Sequence, residues 1–169
     1  MRKPTKRLQM KSGLKESFLG LKMLFLPPAC TLCGRRLVDG ERHFCQSCGH
    51  IPFTGFWEYP DNPLFARLSA AVPVVAAASF FPYDEGRLKE IVLDIKFRHC
   101  KRLGYDMGVW FGKLLSECEP YNRADLVIPV PLHKRRLRRR GYNQSEVIAR
   151  GIADGMGGIP VCPKLLERS

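Results

Sequence analysis

Four cysteines stand in two closely spaced pairs in the first third of the 169-residue chain. Cys30-Thr-Leu-Cys33 and Cys45-Gln-Ser-Cys48 are two CxxC turns separated by eleven residues. A CxxC turn directs two thiolates at one centre, and two such turns supply the four soft ligands that tetrahedral Zn²⁺ prefers. A glycine directly follows each turn and permits the tight backbone that brings N–H groups towards the sulfurs. We therefore predict a zinc site formed by these four cysteines.

Disulfide bonds, a redox-active CxxC pair and chance are the other interpretations of these cysteines. Disulfides fit poorly, because the N-terminus lacks an apolar segment followed by a small-residue cleavage site, and a redox pair would not need duplication. Four thiolates leave no coordination position for water, so the zinc would be structural rather than catalytic. His43 and His50 lie beside the turns and are not predicted as ligands. Because so small a ribbon has little core, metal binding would supply much of its folding free energy.

The second stretch that could do chemistry is strongly basic and spans residues 125–144, DLVIPVPLHKRRLRRRGYNQ. It begins as an apolar strand, breaks at Pro129 and Pro131, and continues as a predicted loop in which six of the seven residues 134–140 are basic. Asn143, with Glu146 three residues later, is typical of a helix start. Helix N–H groups and guanidinium groups both suit phosphate, so the pattern predicts an anion-binding site. A solvated basic loop is the alternative, since charge runs usually face water.

The elements that would position this stretch are one parallel βαβ unit and two helices. Residues 126–128 and 159–162 are predicted as strands on either side of the helix that starts at Asn143, and residues 72–81 are also strand-like. Apolar residues recur at helical spacing from Leu88 to Ile95 and from Leu103 to Cys118. A further apolar helix is predicted from Leu14 to Pro27, after a basic tail. We expect it to dock on the zinc module, with a membrane-surface or targeting helix as the alternative.

The composition favours an anionic partner but does not identify which kind. The chain has 28 Lys and Arg against 16 Asp and Glu, a net charge of +12, which favours nucleic acid, a phosphorylated metabolite or an acidic membrane surface. No run approaches the length of about 18 apolar residues that a transmembrane helix needs. An odd cysteine count and the missing export signal favour a reducing, cytoplasmic location. Cys100, Cys118 and Cys162 are isolated in sequence and are interpreted as core or incidental.

Taken together, these motifs resemble the ComF family of phosphoribosyltransferase-like proteins, which are associated with bacterial competence for DNA uptake. The segment DLVIPVPLHKRRLRRRGYNQSEVIA resembles that family's signature, and the four cysteines resemble its N-terminal double zinc ribbon. Tyr83 through Leu88 to Lys96-Phe97 resembles its segment of a tyrosine, leucines and a lysine followed by an aromatic residue. The resemblance covers residues 14–169.

The resemblance implies an α/β fold: a small N-terminal zinc ribbon followed by an incomplete phosphoribosyltransferase-like (Rossmann-like) βαβ domain. The expected boundaries are 1–29 for the basic lead and apolar helix, 30–54 for the zinc ribbon and 55–169 for the partial phosphoribosyltransferase-like domain. In the type I phosphoribosyltransferase fold, a strand and the loop after it bind pyrophosphate. By that likeness, the residues expected to bind pyrophosphate or phosphate are His133, Lys134, Arg136, Arg140, Asn143 and Gln144. A complete member would bind phosphoribosyl pyrophosphate with Mg²⁺.

The chain departs from the family in one respect. Type I phosphoribosyltransferases bind phosphoribosyl pyrophosphate through a later loop with two adjacent acids and a Thr-Gly turn, and nothing after Gln144 matches it. We therefore expect a truncated product with little catalysis of its own, whose apolar edge a partner chain could cover. The alternative function is a non-enzymatic accessory protein that binds single-stranded DNA. It would use the zinc ribbon and the basic loop, with Trp57, Tyr59 and Tyr142 stacking on bases.

Overall fold

The computed structural model describes residues 28–49, 55, 57, 60–81 and 88–168. The chain divides into two compact units, Met1–Ile51 and Pro52–Ser169. The helix predicted from Leu14 to Pro27 lies outside the described residues, as do His50, Tyr59 and Tyr83. The predicted boundaries at 29/30 and 54/55 stay predictions.

The described part of the first unit is a small ribbon. Ala29 and Arg36 form an antiparallel bridge on either side of the first CxxC turn, and the second turn runs into helix α1, Gln46–Gly49. Leu32, Leu37 and Phe44 are its buried apolar side chains apart from cysteines. Three side chains make a small core for the described part of this unit, so a cross-link such as a metal would add to its stability.

The second unit is mainly helical. Its helices are α2 (Pro63–Ser69), α3 (Leu88–Phe97), α4 (Lys101–Ser116), a 3₁₀ turn (Tyr121–Arg123), α5 (Lys134–Arg140) and α6 (Gln144–Gly155). Helices α3 and α4 confirm the two helices predicted from apolar periodicity, and Asn143 is the N-cap of α6 as predicted. Within the described residues, no helix has the length and apolarity needed to cross a bilayer.

Helices α4 and α6 pack backbone against backbone through glycines. A Cβ atom on Gly108 would lie 2.3 Å from the carbonyl oxygen of Ile148, and one on Gly151 would lie 2.1 Å from that of Tyr105. Gly112 and Gly155 repeat this contact one turn later, so the two helices run in the same direction. Any larger residue would force the helices apart. This close packing holds α6 directly against α4.

The predicted α/β, Rossmann-like sheet is not formed by the described residues. The strands predicted at 126–128 and 159–162 reduce to one parallel bridge between Val127 and Val161, and residues 72–81 form no extended strand. In the bridge, Val127 N–H donates to Pro160 O (2.8 Å) and Cys162 N–H donates to Val127 O (2.9 Å). Prolines beside the bridge, Pro129 and Pro160 among them, have no N–H with which to extend the ladder. Leu126 and Ile128 are exposed, so the short apolar run predicted neither an extended strand nor its burial.

The predicted basic loop at 134–140 is instead the seven-residue helix α5. Lys, Arg and Leu are good helix formers, and this intrinsic preference outweighs the repulsion between neighbouring cations. The His133 side chain caps its start by accepting from the Arg135 N–H, and Gly141 ends it with φ of +73°. The Gly141 N–H then donates to Leu137 O at 2.8 Å, which is a common helix ending.

Candidate functional site

The four cysteine sulfurs of the two CxxC turns converge on one point. The Sγ atoms of Cys30, Cys33, Cys45 and Cys48 all lie within 4.8 Å of one another, and Cys33 Sγ and Cys45 Sγ are 3.6 Å apart. A tetrahedral zinc with Zn–S bonds of about 2.3 Å requires sulfurs about 3.8 Å apart. Cys30, Cys45 and Cys48 are buried, whereas Cys33 is exposed. The residues thus fit a four-thiolate metal site with a structural rather than catalytic geometry.

Backbone hydrogen bonds shape both turns around this cluster. Gly34 N–H donates to Cys30 O at 2.8 Å, and Gly34 adopts the left-handed φ of +72° that favours glycine. The second turn closes in the same way, with Gly49 N–H donating to Cys45 O at 2.8 Å. Thr31 N–H donates to His43 O at 3.0 Å and links the turns directly. His43 therefore contributes its backbone, and the cluster of described ligand atoms contains only the four cysteines.

The local environment shifts the pKa values of two of the thiols in opposite directions. Burial raises the pKa of Cys30, but N–H groups of Cys45, Leu32 and Cys33 outweigh it and lower the pKa to about 6. Burial raises the pKa of Cys48 to about 12, aided by hydrogen bonds with the neighbouring thiols. Without a metal, Cys30 therefore carries negative charge at neutral pH and Cys48 keeps its proton. Metal binding must release the Cys48 proton, because thiolates are the ligands.

Glu41 holds the two halves of the ribbon together from the loop between the turns. Its Oε2 accepts from Val38 N–H at 3.0 Å, and its Oε1 accepts from Gln46 N–H at 2.5 Å. These donors hold the pKa of the Glu41 carboxyl below its usual value, the Val38 N–H contributing most. Gln46 directly follows the ligand Cys45 and opens α1. Glu41 is thus a positioning residue for the second pair of sulfurs, as in the outer shell of other metal sites.

The second candidate site is the basic surface of α5. Lys134, Arg135, Arg136, Arg138 and Arg139 are all exposed. Among the described residues, none of these five side chains pairs with a carboxylate, whereas arginines of other elements do: Arg98 with Asp94, Arg102 with Asp106, Arg123 with Glu119 and Arg150 with Glu146. Helix α5 therefore presents uncompensated positive charge to solvent.

Two of the residues predicted to bind phosphate act as helix caps. His133 Nδ1 accepts from the Arg135 N–H at 3.2 Å, which requires that this nitrogen carry no proton. Asn143 Oδ1 accepts from Ser145 N–H at 3.1 Å, and its Nδ2 donates to Val130 O at 3.1 Å. Asn143 therefore ties the start of α6 to the chain after the Val127 bridge. Both residues shape the backbone that presents Lys134 and Arg136.

Arg140 turns away from the other cations and packs on α3. Its guanidinium lies 5.1 Å from the centre of the Phe97 ring, and its Nε is buried without a hydrogen-bond partner in the described residues. Two residues later Tyr142 is 8% exposed, and its hydroxyl donates to the backbone carbonyl of Ile95. The Lys101 ammonium lies 4.8 Å from the centre of the Tyr142 ring and covers it. Arg140 and Tyr142 thus pack the end of α5 against α3. Because the Tyr142 ring is buried and covered by Lys101, it is not available to stack on bases.

Gln144, the last of the predicted phosphate-binding residues, lies beside an apolar cavity. It lines that cavity together with side chains of α3, α4 and α6, and its Oε1 is buried with no hydrogen-bond partner among the described residues. Four of the six predicted residues cap a helix, pack on a ring or line the cavity. Lys134 and Arg136 are exposed on α5, and no such side-chain contact is described for them. Whether any of the six binds phosphate stays a prediction.

Sequence reasoning missed Glu41 and helix α2, and it assigned Tyr142 to base stacking although the side chain is buried. Asn62 before Pro63 is a helix-start signal, because Asn is a preferred N-cap and proline suits the first helical position. The sequence carries no signal for the role of Glu41, because its two hydrogen-bond partners are backbone N–H groups, which do not depend on residue type. Tyr142 could only be assigned to the core once α5 was known to be a helix docked on α3.

We found no family model, curated protein or solved structure that matches this chain. The resemblance to the ComF family therefore rests on the motifs quoted from the sequence.

Proposed function

We propose that this chain is a zinc-binding, phosphoribosyltransferase-like protein of the ComF type whose helix α5 binds the phosphate groups of pyrophosphate or a pyrophosphate ester. The observation that carries the proposal is the set of exposed cations on α5 that lack acidic partners in the described residues. Like charges crowded on one short helix repel each other, and an anionic ligand relieves that repulsion. An arginine guanidinium can donate two parallel hydrogen bonds to a pair of phosphate oxygens. This adds geometric selectivity to the attraction between the charges.

The arrangement around α6 supports the finer assignment of an α/β domain. Val127 and Val161 pair in parallel on either side of α6, which is the smallest piece of a βαβ unit. Helix α5 stands between the first bridge residue and α6, the position where the resemblance puts the pyrophosphate-binding segment. A sheet completed by further parallel strands would extend from this bridge.

We propose anion binding and not phosphoribosyl transfer by these 169 residues. The only adjacent acid pair is Asp84-Glu85 and the only Thr-Gly is Thr54-Gly55, and both precede α5 in the sequence. The residues that would hold the ribose and its 5′-phosphate are therefore not among them. By the same resemblance the zinc is structural, the location is cytoplasmic and the setting is DNA uptake. All seven cysteines are free thiols, which fits a reducing compartment.

A second candidate is binding of single-stranded DNA by the same helix. The net charge of +12 and the cations on every side of α5 favour it. It is weakened by the burial of Tyr142, which removes one of the three aromatic residues proposed to stack on bases. Contacts to a DNA backbone would draw on all the exposed cations of the helix, whereas a pyrophosphate site would depend mainly on Lys134 and Arg136.

Titration calorimetry of the zinc-loaded protein with pyrophosphate tests the proposal. We expect saturable, one-site binding that weakens with added salt. Phosphoribosyl pyrophosphate with Mg²⁺ should bind no more tightly than pyrophosphate, because the ribose-binding residues are not among these 169. Absence of binding at millimolar pyrophosphate would reject the proposal, and clearly tighter binding of phosphoribosyl pyrophosphate would reject its restriction to anion binding.

A further inference from the structure

An exposed aromatic ring, that of Phe97, lies beside the C-terminal end of α5. Phe97 is the last residue of α3 and is 56% exposed, so more than half of its surface faces solvent. The guanidinium of Arg140, the last residue of α5, lies over the ring at 5.1 Å from its centre. Among the described residues, no other ring or cation is stacked on Phe97. The face of the ring opposite Arg140 is therefore open to a ligand.

The residues that follow Phe97 do not compete for this face. The Arg98 guanidinium is held by the Asp94 carboxylate at 2.5 Å. His99 has a φ of +57°, and its ring lies 6.2 Å from the centre of the Tyr142 ring. The chain thus turns after α3 and engages both side chains elsewhere. Phe97 is left as an apolar ring in water, which is unfavourable until something covers it.

Arg140 connects this ring to the basic surface of α5. Arg136 lies four residues before Arg140, and residues at this spacing are neighbours on the same side of a helix. Neither arginine pairs with a carboxylate in the part of the chain that the structure describes. Arg136 and the Phe97 ring are therefore both neighbours of Arg140. One ligand that carries phosphates and an aromatic ring could contact all three.

We propose that the pyrophosphate ester bound by α5 carries an aromatic base that stacks on the open face of Phe97 while its phosphates bind Arg136. The inference rests on the proposed function and names its ligand class, a nucleoside diphosphate. Bases stack readily on aromatic side chains, and the arginine on the other face of the ring adds a cation–π contact. Stacking does not read the edges of a base, so it does not select one base over another.

Adenosine diphosphate and pyrophosphate make a matched pair of probes, because they have nearly the same charge at neutral pH and differ in the adenosine group. Calorimetry of the zinc-loaded, full-length protein at one fixed salt concentration should show adenosine diphosphate binding about tenfold more tightly, the gain from one stacked base. In NMR spectra, the adenine H2 and H8 signals should move upfield on addition of the protein, because they lie above the ring.

Phe97→Leu removes the ring and keeps an apolar side chain. This variant should bind the two probes with similar affinity, its affinity for pyrophosphate should be unchanged, and the adenine signals should not move. Phe97→Tyr keeps the ring and should bind adenosine diphosphate as the unaltered protein does. If Phe97→Leu does not fold, the adenine signals and the two affinities of the unaltered protein still decide the matter.

The results separate this inference from the proposed function. If pyrophosphate binds but adenosine diphosphate binds no more tightly, or if Phe97→Leu keeps the preference, the stacking site is rejected and anion binding by α5 stands. If pyrophosphate does not bind, both are rejected. A short deoxyadenosine strand has bases but no pyrophosphate. Tighter binding of that strand than of adenosine diphosphate at the same salt concentration would overturn the ligand class in favour of nucleic acid.

Discussion

Cys33 Sγ and Cys45 Sγ lie 3.6 Å apart, although they belong to different CxxC turns. This distance is too long for a disulfide, whose sulfurs are about 2.0 Å apart, and close to the edge of a zinc–tetrathiolate tetrahedron. The turns are therefore already arranged as a metal would require. A metal at the centre would join the two halves of a ribbon that has only a few buried apolar side chains.

Replacement of Cys45 by serine should abolish stoichiometric metal binding. The unaltered protein should contain about one equivalent of zinc, and the variant should contain little, because three thiolates and a hydroxyl hold Zn²⁺ poorly. Elemental analysis of purified protein measures this directly. Cys118→Ser is the matched control, since Cys118 is outside the cluster. Full zinc retention by Cys45→Ser would exclude a four-cysteine site.

Glu41→Gln should weaken zinc binding by roughly tenfold or more, the range for residues that position metal ligands. The amide loses the negative charge and one of the two acceptor oxygens that now bind Val38 N–H and Gln46 N–H. Competition with a chromogenic chelator at neutral pH measures the affinity. Asp39→Asn removes the same charge from an exposed position of the same loop and should have little effect. If Asp39→Asn lowered the zinc affinity as much as Glu41→Gln does, Glu41 would act through its charge alone.

Tyr142→Phe should lower the free energy of unfolding by about 1–2 kcal/mol, because the carbonyl of Ile95 loses its partner. Burial raises the pKa of Tyr142, so the folded state favours the protonated hydroxyl. The resulting stabilisation is complete below the ordinary tyrosine pKa of about 10 and is lost as the pH rises through the folded-state value. Urea unfolding between pH 8 and 11 should show the decline in the unaltered protein and a smaller decline in the variant. Equal declines in the free energy of unfolding of the two proteins would mean that the pKa of Tyr142 does not change on unfolding.

Gly151→Ala should destabilise the second unit by about 1–3 kcal/mol or more, as expected for overpacking against backbone. In an exposed helix the same change stabilises by about 1 kcal/mol, so the sign itself is informative. Gly104→Ala is the control, because its Cβ would meet only the Ile95 side chain, at 3.2 Å, and that side chain can adjust. Thermal unfolding of both variants measures the difference. Equal stability would show that α4 and α6 are not packed as closely as described.

The four-cysteine cluster could be predicted from the sequence, because the two CxxC spacings favour turns whose sulfurs converge on one centre. It also located α3, α4 and the start of α6, where apolar periodicity and the Asn143 cap give local signals. The helix at residues 134–140 was not predicted, because a run of cations has no apolar periodicity and the local signals for the helix are only its caps, His133 and Gly141. The packing of Tyr142 and Gln144 depends on contacts with α3, which are distant in sequence and carry no local pattern. The predicted sheet is not formed by the described residues beyond the Val127–Val161 bridge, and Leu126 and Ile128 of the apolar run are exposed, because a short apolar run specifies neither its strand partner nor its burial.

The most direct test of anion binding by α5 compares two double variants that remove the same charge from different pairs of exposed residues. Lys134 and Arg136 are the exposed residues of α5 that are predicted to bind phosphate, whereas Arg135 and Arg139 are exposed but lie outside that prediction. Calorimetry with pyrophosphate at one fixed salt concentration should show that Lys134→Gln/Arg136→Gln lowers affinity by at least tenfold, as for lost charge-assisted hydrogen bonds. Arg135→Gln/Arg139→Gln should lower it by less than about threefold, the effect of screened net charge. Equal losses in the two variants would contradict a pyrophosphate site formed by Lys134 and Arg136 and would favour nonspecific binding of polyanions.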